Sequence, residues 1–561
     1  MRRLRWQFLV VVVTLILVGI LLTSQDLSTG PLAPQPAEGG SYTEALVGSM
    51  GRLNPLLDWN NSPDRDVDRL IYSAVMRFDA RGFPEPDLAE SWAAAPEGTV
   101  YNFTLRANAF WHDGQPVTSD DVLFTIELLK SPASFYPQDI KELWGRIQVK
   151  RIDGKTFQLT LPEPYAPFLD YMTFGVLPKH LLGAIPAESL LNDQFNLKPV
   201  GSGPYRFDHL LVKNGQITGV VLVRFDEYYL QRALIDQVIY KYYASSAEAL
   251  DAYQAGEVAG ISRITLDVLP AALAEPDLAV YTSRMPQMGY VLFNLQNPEV
   301  AFLQNVKIRR ALLLGLNRQR LIDAFLGGQA IPVNGPILPG SWAYYEGAGK
   351  VEYDPQAAIA MLKAEGYTLP ADGSNVRANK DGQSLIFTLV HPDDSVHTQM
   401  AQSIQKNWAD IGVKVDLISV SYDRLIQNYL TPRSYQAALV EISLSRTPDP
   451  DPYPFWHQAE ATGGQNYSQW DHRTASEYLE QARVSSDFGL RARLYRNFQV
   501  IFARELPSLP LYAPVYSFGA SRLVKGVQIP PLFDPSDRFN LFTQWYLVAR
   551  LTIESTLTPA P

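Results

Sequence analysis

At 561 residues the chain is longer than one compact core organises, so two or three domains are expected. With 58 acidic against 48 basic residues, a formal net charge of −10 excludes a general nucleic-acid binder, which would present a basic face. Cysteine is absent, which excludes disulfides, thiolate metal sites, a cysteine nucleophile and a lipid-modified cysteine.

Arg2, Arg3 and Arg5 precede residues 6–22, an apolar run broken only by Gln7, Thr14 and Gly19. As a helix this run would extend about 26 Å, slightly short of a bilayer core of roughly 30 Å. Residues 1–23 therefore read as a signal peptide or an uncleaved membrane anchor, with the arginines cytoplasmic and the remainder exported. No small-x-small cleavage pattern follows Leu22, which favours the anchor. Residues 24–40, rich in Pro, Gly and Ser, read as a flexible linker.

Residues 65–78 carry Val67, Leu70, Ile71 and Val75 at helical spacing and are expected as one helix. The block 101–124 is more specific. Phe103 and Leu105, then Phe110, suit strands with one buried face, and Asp113-Gly114 supplies a tight turn. Thr118, with Asp121 three residues on, forms a capping box for a helix carrying Val122 and Ile126. Strands follow at 221–225 and 237–243, and a helix at 247–255 stops at Gly256.

The second half alternates more regularly. Helices are expected at 306–316 and 319–326, with Asn317 as a cap and Gly327-Gly328 as a stop. A strand at 385–390 precedes a helix at 396–411, whose stripe of Val396, Met400, Ile404, Trp408 and Ile411 reads as core. Strands at 413–420 and 437–444 flank a helix at 422–429. Such alternation favours α/β lobes with largely parallel pairing.

Motifs of catalysis are missing. No G-x-S-x-G or H-E-x-x-H occurs, and residues 347–350 lack the first glycine of a phosphate loop. His391 and His397 flank a strand end and a helix start and form no metal-ligand pattern. A carboxylate pair for glycoside hydrolysis meets only in space, so sequence leaves it open. The segment 447–456, TPDPDPYPFW, is distinctive because alternate prolines stiffen it as an extended loop directly after a strand. That position suits a ligand-facing loop, although a rigid surface connection with solvated aspartates is the alternative. It lacks the glycine and distal glutamate of a calcium loop.

A series of short fragments runs along the chain: Leu53-Asn-Pro55, Pro86-Asp-Leu-Ala-Glu-Ser-Trp92, Phe103-Thr-Leu-Arg106, His112-Asp-Gly114 and Leu177-Pro-Lys-His180. Gly201-Ser-Gly-Pro-Tyr-Arg-Phe207, Lys307-Ile-Arg-Arg-Ala311 with Asn317-Arg318, residues 449–456, Asn466-Tyr-Ser468 and Leu509-Pro-Leu-Tyr512 continue the series. In this order they resemble the family 5 extracellular solute-binding proteins of ABC importers, which include oligopeptide-, dipeptide- and nickel-binding proteins.

The resemblance implies an α/β, two-lobed periplasmic-binding-protein-like fold of type II that closes about a hinge. The first lobe would span 41–288, with an inserted subdomain at about 60–191. The second would span 289–508, the chain would return to the first over 509–550, and 551–561 would form a disordered tail. Crossing strands are expected near 290–294 and 510–514. In peptide-binding members the ligand backbone adds to strands of the lobes. The matching stretches make Ser49, Met50, Ser445, Arg446 and Thr447 candidates, and Tyr512 on the crossing strand is another.

Those members also hold the peptide ammonium with an aspartate three residues before an acidic-Pro pair. Aligning that pair on Asp451-Pro452 puts Pro448 there, and proline cannot form the charge-assisted bond. Asp449 or Glu441 is the expected substitute; alternatively the ligand is a blocked peptide, a sugar or another small polar solute. The expected protein is thus a monomeric, non-enzymatic binding component without cofactor or metal, tethered through its N-terminal helix. It would deliver peptide or another small polar ligand to an ABC permease and ATPase. A secreted hydrolase and a membrane-tethered sensor are the rival readings.

Overall fold

The block at 101–124 folds as its residues dictate. Strand Val100–Leu105 buries Tyr101, Phe103 and Leu105. Gly114 turns the chain at φ +86°, and the Thr118–Asp121 box caps helix Ser119–Lys130. The computed structural model describes residues 12–14, 32–134, 136–371, 373–445 and 448–553. The expected N-terminal signal or anchor therefore lies almost wholly outside the described residues, as do Arg446, Thr447 and residues 554–561. Among the described residues, no helix is long and apolar enough to cross a membrane.

A twelve-stranded sheet runs through both halves of the molecule. Its long member, Ser508–Ser521, pairs antiparallel with Gln287–Phe293 over Ser508 to Tyr512, and with Leu278–Arg284 over Val515 to Ser521. The chain thus crosses between halves at 284–287 and again at 513–515. On one side, a core from Met288 to Ala513 packs around strands Ile386–Pro392, Lys414–Val420 and Ala437–Ser443. On the other, a core joins residues 42–240 to residues 516–545. A separate antiparallel sheet of Ala89–Ala94, Val100–Leu105, Thr156–Thr160 and Gln148–Arg151 belongs to this second core.

Several expectations need correction. The helix expected at 65–78 is Ser62–Ile71, started by Asn61 and the helix-compatible Pro63; from Tyr72 the chain is extended and reaches strand Met76–Phe78. Val75 satisfies the helical spacing, yet it is buried at a bend beyond the helix end. The pairing around Gln287–Phe293 is antiparallel, whereas Ile386–Pro392 pairs parallel with both its neighbours, so the sheet is mixed. Leu509 to Ala513 pack in the core of the second half, so the return to the first half starts after 513 and not at 509. Within the expected linker and tail, Leu32–Ala37 pairs antiparallel with Val548–Ile553. A two-stranded ribbon has only edges, where proline's missing N–H is tolerated at Pro34 and Pro36.

Two motifs interlock. Gly203 N–H donates to the Ile71 carbonyl at 2.8 Å, and a Cβ on Gly201 would lie 1.9 Å from that same oxygen, so only glycine fits at 201. The Gly201 N–H donates to His112 Nδ1 at 3.2 Å, which leaves Nε2 to donate to the Gly203 carbonyl at 3.0 Å. Burial lowers the His112 pKa to about 4. An unfolded histidine binds its proton near pH 6.5, so this contribution to stability is complete above that value and is lost as pH falls from about 6.5 to 4. The expected loss is at most on the order of 3 kcal/mol. Burial raises Asp64 to about 6, which acts in the opposite sense, with its contribution lost as pH rises. Comparing pH-dependent denaturation of wild type and His112→Gln isolates the histidine; equal slopes would contradict the assignment.

Candidate functional site

A cavity of about 1520 Å³ is lined from both cores and from the loop after strand Ala437–Ser443. The second half contributes Met288, Ile442 to Ser445, Pro448 to Trp456 and Arg483. The first half contributes Trp59, Tyr165, Asp170 and Arg284 among others. The proline-rich segment is thus a cavity wall and not a solvated surface connection. Asp449 is only 8 % exposed in its side chain.

The structure separates the candidates. Ser445 lines the cavity, with its hydroxyl 3.1 Å from that of Ser443. Asp449 also lines it, but both its carboxylate oxygens accept from Arg491 at 2.7 Å, and Arg491 further donates to the Ala482 carbonyl. Burial raises the carboxyl of Asp449, and the Arg491 charge opposes that rise. Glu441 and Tyr512 lie outside the lining. They satisfy each other, Tyr512 donating to Glu441 at 2.9 Å while Gln287 donates to its other oxygen at 2.6 Å. Ser49 and Met50 are away from the cavity too: the Ser49 carbonyl accepts from Asn61, and Met50 packs on the first core.

Both expected substitutes for an ammonium-holding aspartate are therefore already engaged within the protein. Asp170 is not so engaged. It is 5 % exposed, lines the cavity, and accepts the Asp449 backbone N–H at 2.9 Å. Burial raises its pKa well above the ordinary range, and the neighbouring Asp449 charge adds to the rise. No cation pairs with it among the described residues. A charge inside the apolar string APFLDYMTF was the readable signal for it, since an acid in such a run needs a reason.

Across the cavity the halves also meet through aromatic and cationic groups. Arg483 pairs with Asp451 at 2.7 Å and lies over the rings of Tyr453 and Tyr165. Phe83 of the first half stands against Trp342 and Phe488 of the second. These contacts fix the proline-rich wall relative to both cores.

Comparison with known proteins agrees with this architecture. The sequence profile of the bacterial extracellular solute-binding proteins, family 5 (middle region), matches residues 84–465. An oligopeptide-binding protein of Bacillus subtilis, AppA, is 26% identical over 530 residues, covering 93% of this chain and 94% of AppA. The dipeptide-binding protein of Escherichia coli is 24% identical over 517 residues, covering 86% and 91% of the two chains. The structure of AppA in complex with a nonapeptide superposes with a TM-score of 0.65 at 24% identity, covering 92% of this chain and all of that one. The chain belongs to the bacterial extracellular solute-binding proteins of family 5.

Proposed function

We propose that this protein is the extracytoplasmic binding component of an ABC importer and that its cargo is peptide. The observation that carries the reading is the cavity of about 1520 Å³ shared by two cores joined at two strand crossings. It exceeds the roughly 300–1,000 Å³ of ordinary small-molecule pockets, which suits an extended ligand of several residues. Family membership and the peptide-binding relatives support the same cargo. The lobes we assign are residues 41–287 with 516–550, and residues 288–513, hinged where the chain crosses. Ile442 to Ser445 form the wall along which ligand backbone would run. ATP hydrolysis belongs to a partner subunit beside a permease, and this chain performs no chemistry. We further assign residues 1–23 to export or tethering, on their arginine-led apolar pattern, and take the binding unit to be a monomer.

A thermal-shift screen against peptide, oligosaccharide and metal-chelate libraries tests the cargo. A ligand that binds only the folded protein raises its apparent stability by RT ln(1 + [L]/Kd), about 2.7 kcal/mol at a hundredfold excess over Kd. Peptides should move the midpoint and the other libraries should not. A shift with sugars or chelates alone would sink the assignment.

A further inference from the structure

The arginines along the cavity are almost all paired internally among the described residues. Of the lining arginines, Arg65 pairs with Asp534, Arg69 with Asp537, Arg77 with Glu85, Arg146 with Glu163 and Arg483 with Asp451. Arg284 is the exception, with no carboxylate partner among the described residues. Its guanidinium lies on the backbone of Gly340, another lining residue, where a Cβ would come within 2.2 Å of Nη1. Gly340, at φ +85°, thus supplies both the turn and the seat for this cation. Asp170 is its acidic counterpart, buried and, among the described residues, bonded through its carboxylate to one backbone N–H. Asp68 also lines the cavity without an ion-pair partner among the described residues, but both its oxygens are shielded from solvent.

Among the described residues neither the Asp170 carboxylate nor the Arg284 guanidinium has an ion-pair partner, and a charge taken out of water without one carries a desolvation cost. A ligand bearing both opposite charges removes both costs. Resting on the peptide reading above, we propose that Asp170 and Arg284 are the specificity-determining pair of the cavity. Asp170 receives the ammonium and Arg284 the carboxylate of a peptide whose two ends are free. Burial acts on both in the direction this requires, raising the Asp170 carboxyl and lowering the Arg284 guanidinium, so each gains from an opposite charge. The placement differs from that expected of Asp449 and Glu441, whose charges are already engaged.

The test is binding of randomised peptide pools two to nine residues long, unmodified, N-acetylated or C-amidated, to wild type, Asp170→Asn, Arg284→Gln and Gly340→Ala. Asparagine keeps an acceptor for the Asp449 N–H, so Asp170→Asn should fold with an unaltered ligand-free midpoint. Wild type should bind each blocked pool at least about tenfold more weakly, the scale of a charge-assisted bond. Asp170→Asn should lose the penalty for N-acetylation only. Arg284→Gln should lose the penalty for C-amidation only, and Gly340→Ala should copy it by unseating the guanidinium. If wild type binds all three pools alike, or a variant keeps its penalty, the pair is not the determinant and peptide binding itself stands. If wild type binds none of the pools, the peptide reading falls and this inference falls with it.

Discussion

Replacing Arg538 by methionine should cost the protein about 3–5 kcal/mol, because two carboxylates would be left buried without their cation. Arg538 is fully buried and reaches Glu44 at 2.7 Å and Asp66 at 2.5 and 2.8 Å. Tyr42 donates to the second oxygen of Glu44, and the guanidinium lies 4.1 Å from the Phe539 ring centroid. The three charges come from strand Ser41–Val47, helix Ser62–Ile71 and the short helix Pro535–Phe539. They therefore pin the returning C-terminal segment onto the first core. In the variant, both carboxyls can escape charge burial by taking up protons, so the loss should be smaller at pH 5 than at pH 8. Combining Arg538→Met with Glu44→Gln and Asp66→Asn should recover much of the stability, since the uncompensated charges are gone. Urea denaturation of the four proteins at both pH values measures this. A single variant as stable as wild type would show that the network contributes nothing.

Asp449→Ala should produce a loss of similar size, about 3–5 kcal/mol, by stranding Arg491 in the second core. Arg491 is 2 % exposed in its side chain, donates twice to Asp449 and lies over the Trp342 ring at 5.0 Å. This outcome separates two roles for the aspartate. A carboxylate kept for a ligand is a cost to the empty protein, and its removal leaves ligand-free stability unchanged or raised. A carboxylate holding a buried arginine lowers that stability when removed. Denaturation of ligand-free Asp449→Ala beside Asp170→Asn makes the contrast direct: the first should fall and the second should hold. Equal behaviour of the two would contradict the assignment of Asp449 to structure.

Local rules carried much of the fold. The capping box at Thr118, the cap at Asn317 and the glycine stops at Gly327 and Gly328 appear where residue chemistry places them. The stripe of Met400, Ile404 and Trp408 is wholly buried, as its helical spacing demands. What local pattern could not supply was competition from distant chain. Val75 follows helical spacing, yet Ala74 and Val75 carbonyls accept from residues 87–89, and that pairing holds the segment extended. The same limit governs the site. Asp449 looked available because its partner Arg491 stands 42 residues away, and Glu441 because Tyr512 and Gln287 lie on other strands. Arg284 ends an unremarkable strand, and nothing adjacent in sequence shows that it has no carboxylate partner among the described residues. Availability of a charge is a property of packing, and sequence spacing does not record it.

Calorimetric titration of the purified, ligand-free protein with a pool of unmodified peptides tests whether the cavity takes peptide. Saturable binding of one peptide per chain is expected, with the negative heat-capacity change of a cavity closing over apolar surface. Saturable binding of a sugar or metal chelate, with no heat from any peptide at comparable concentration, would contradict it.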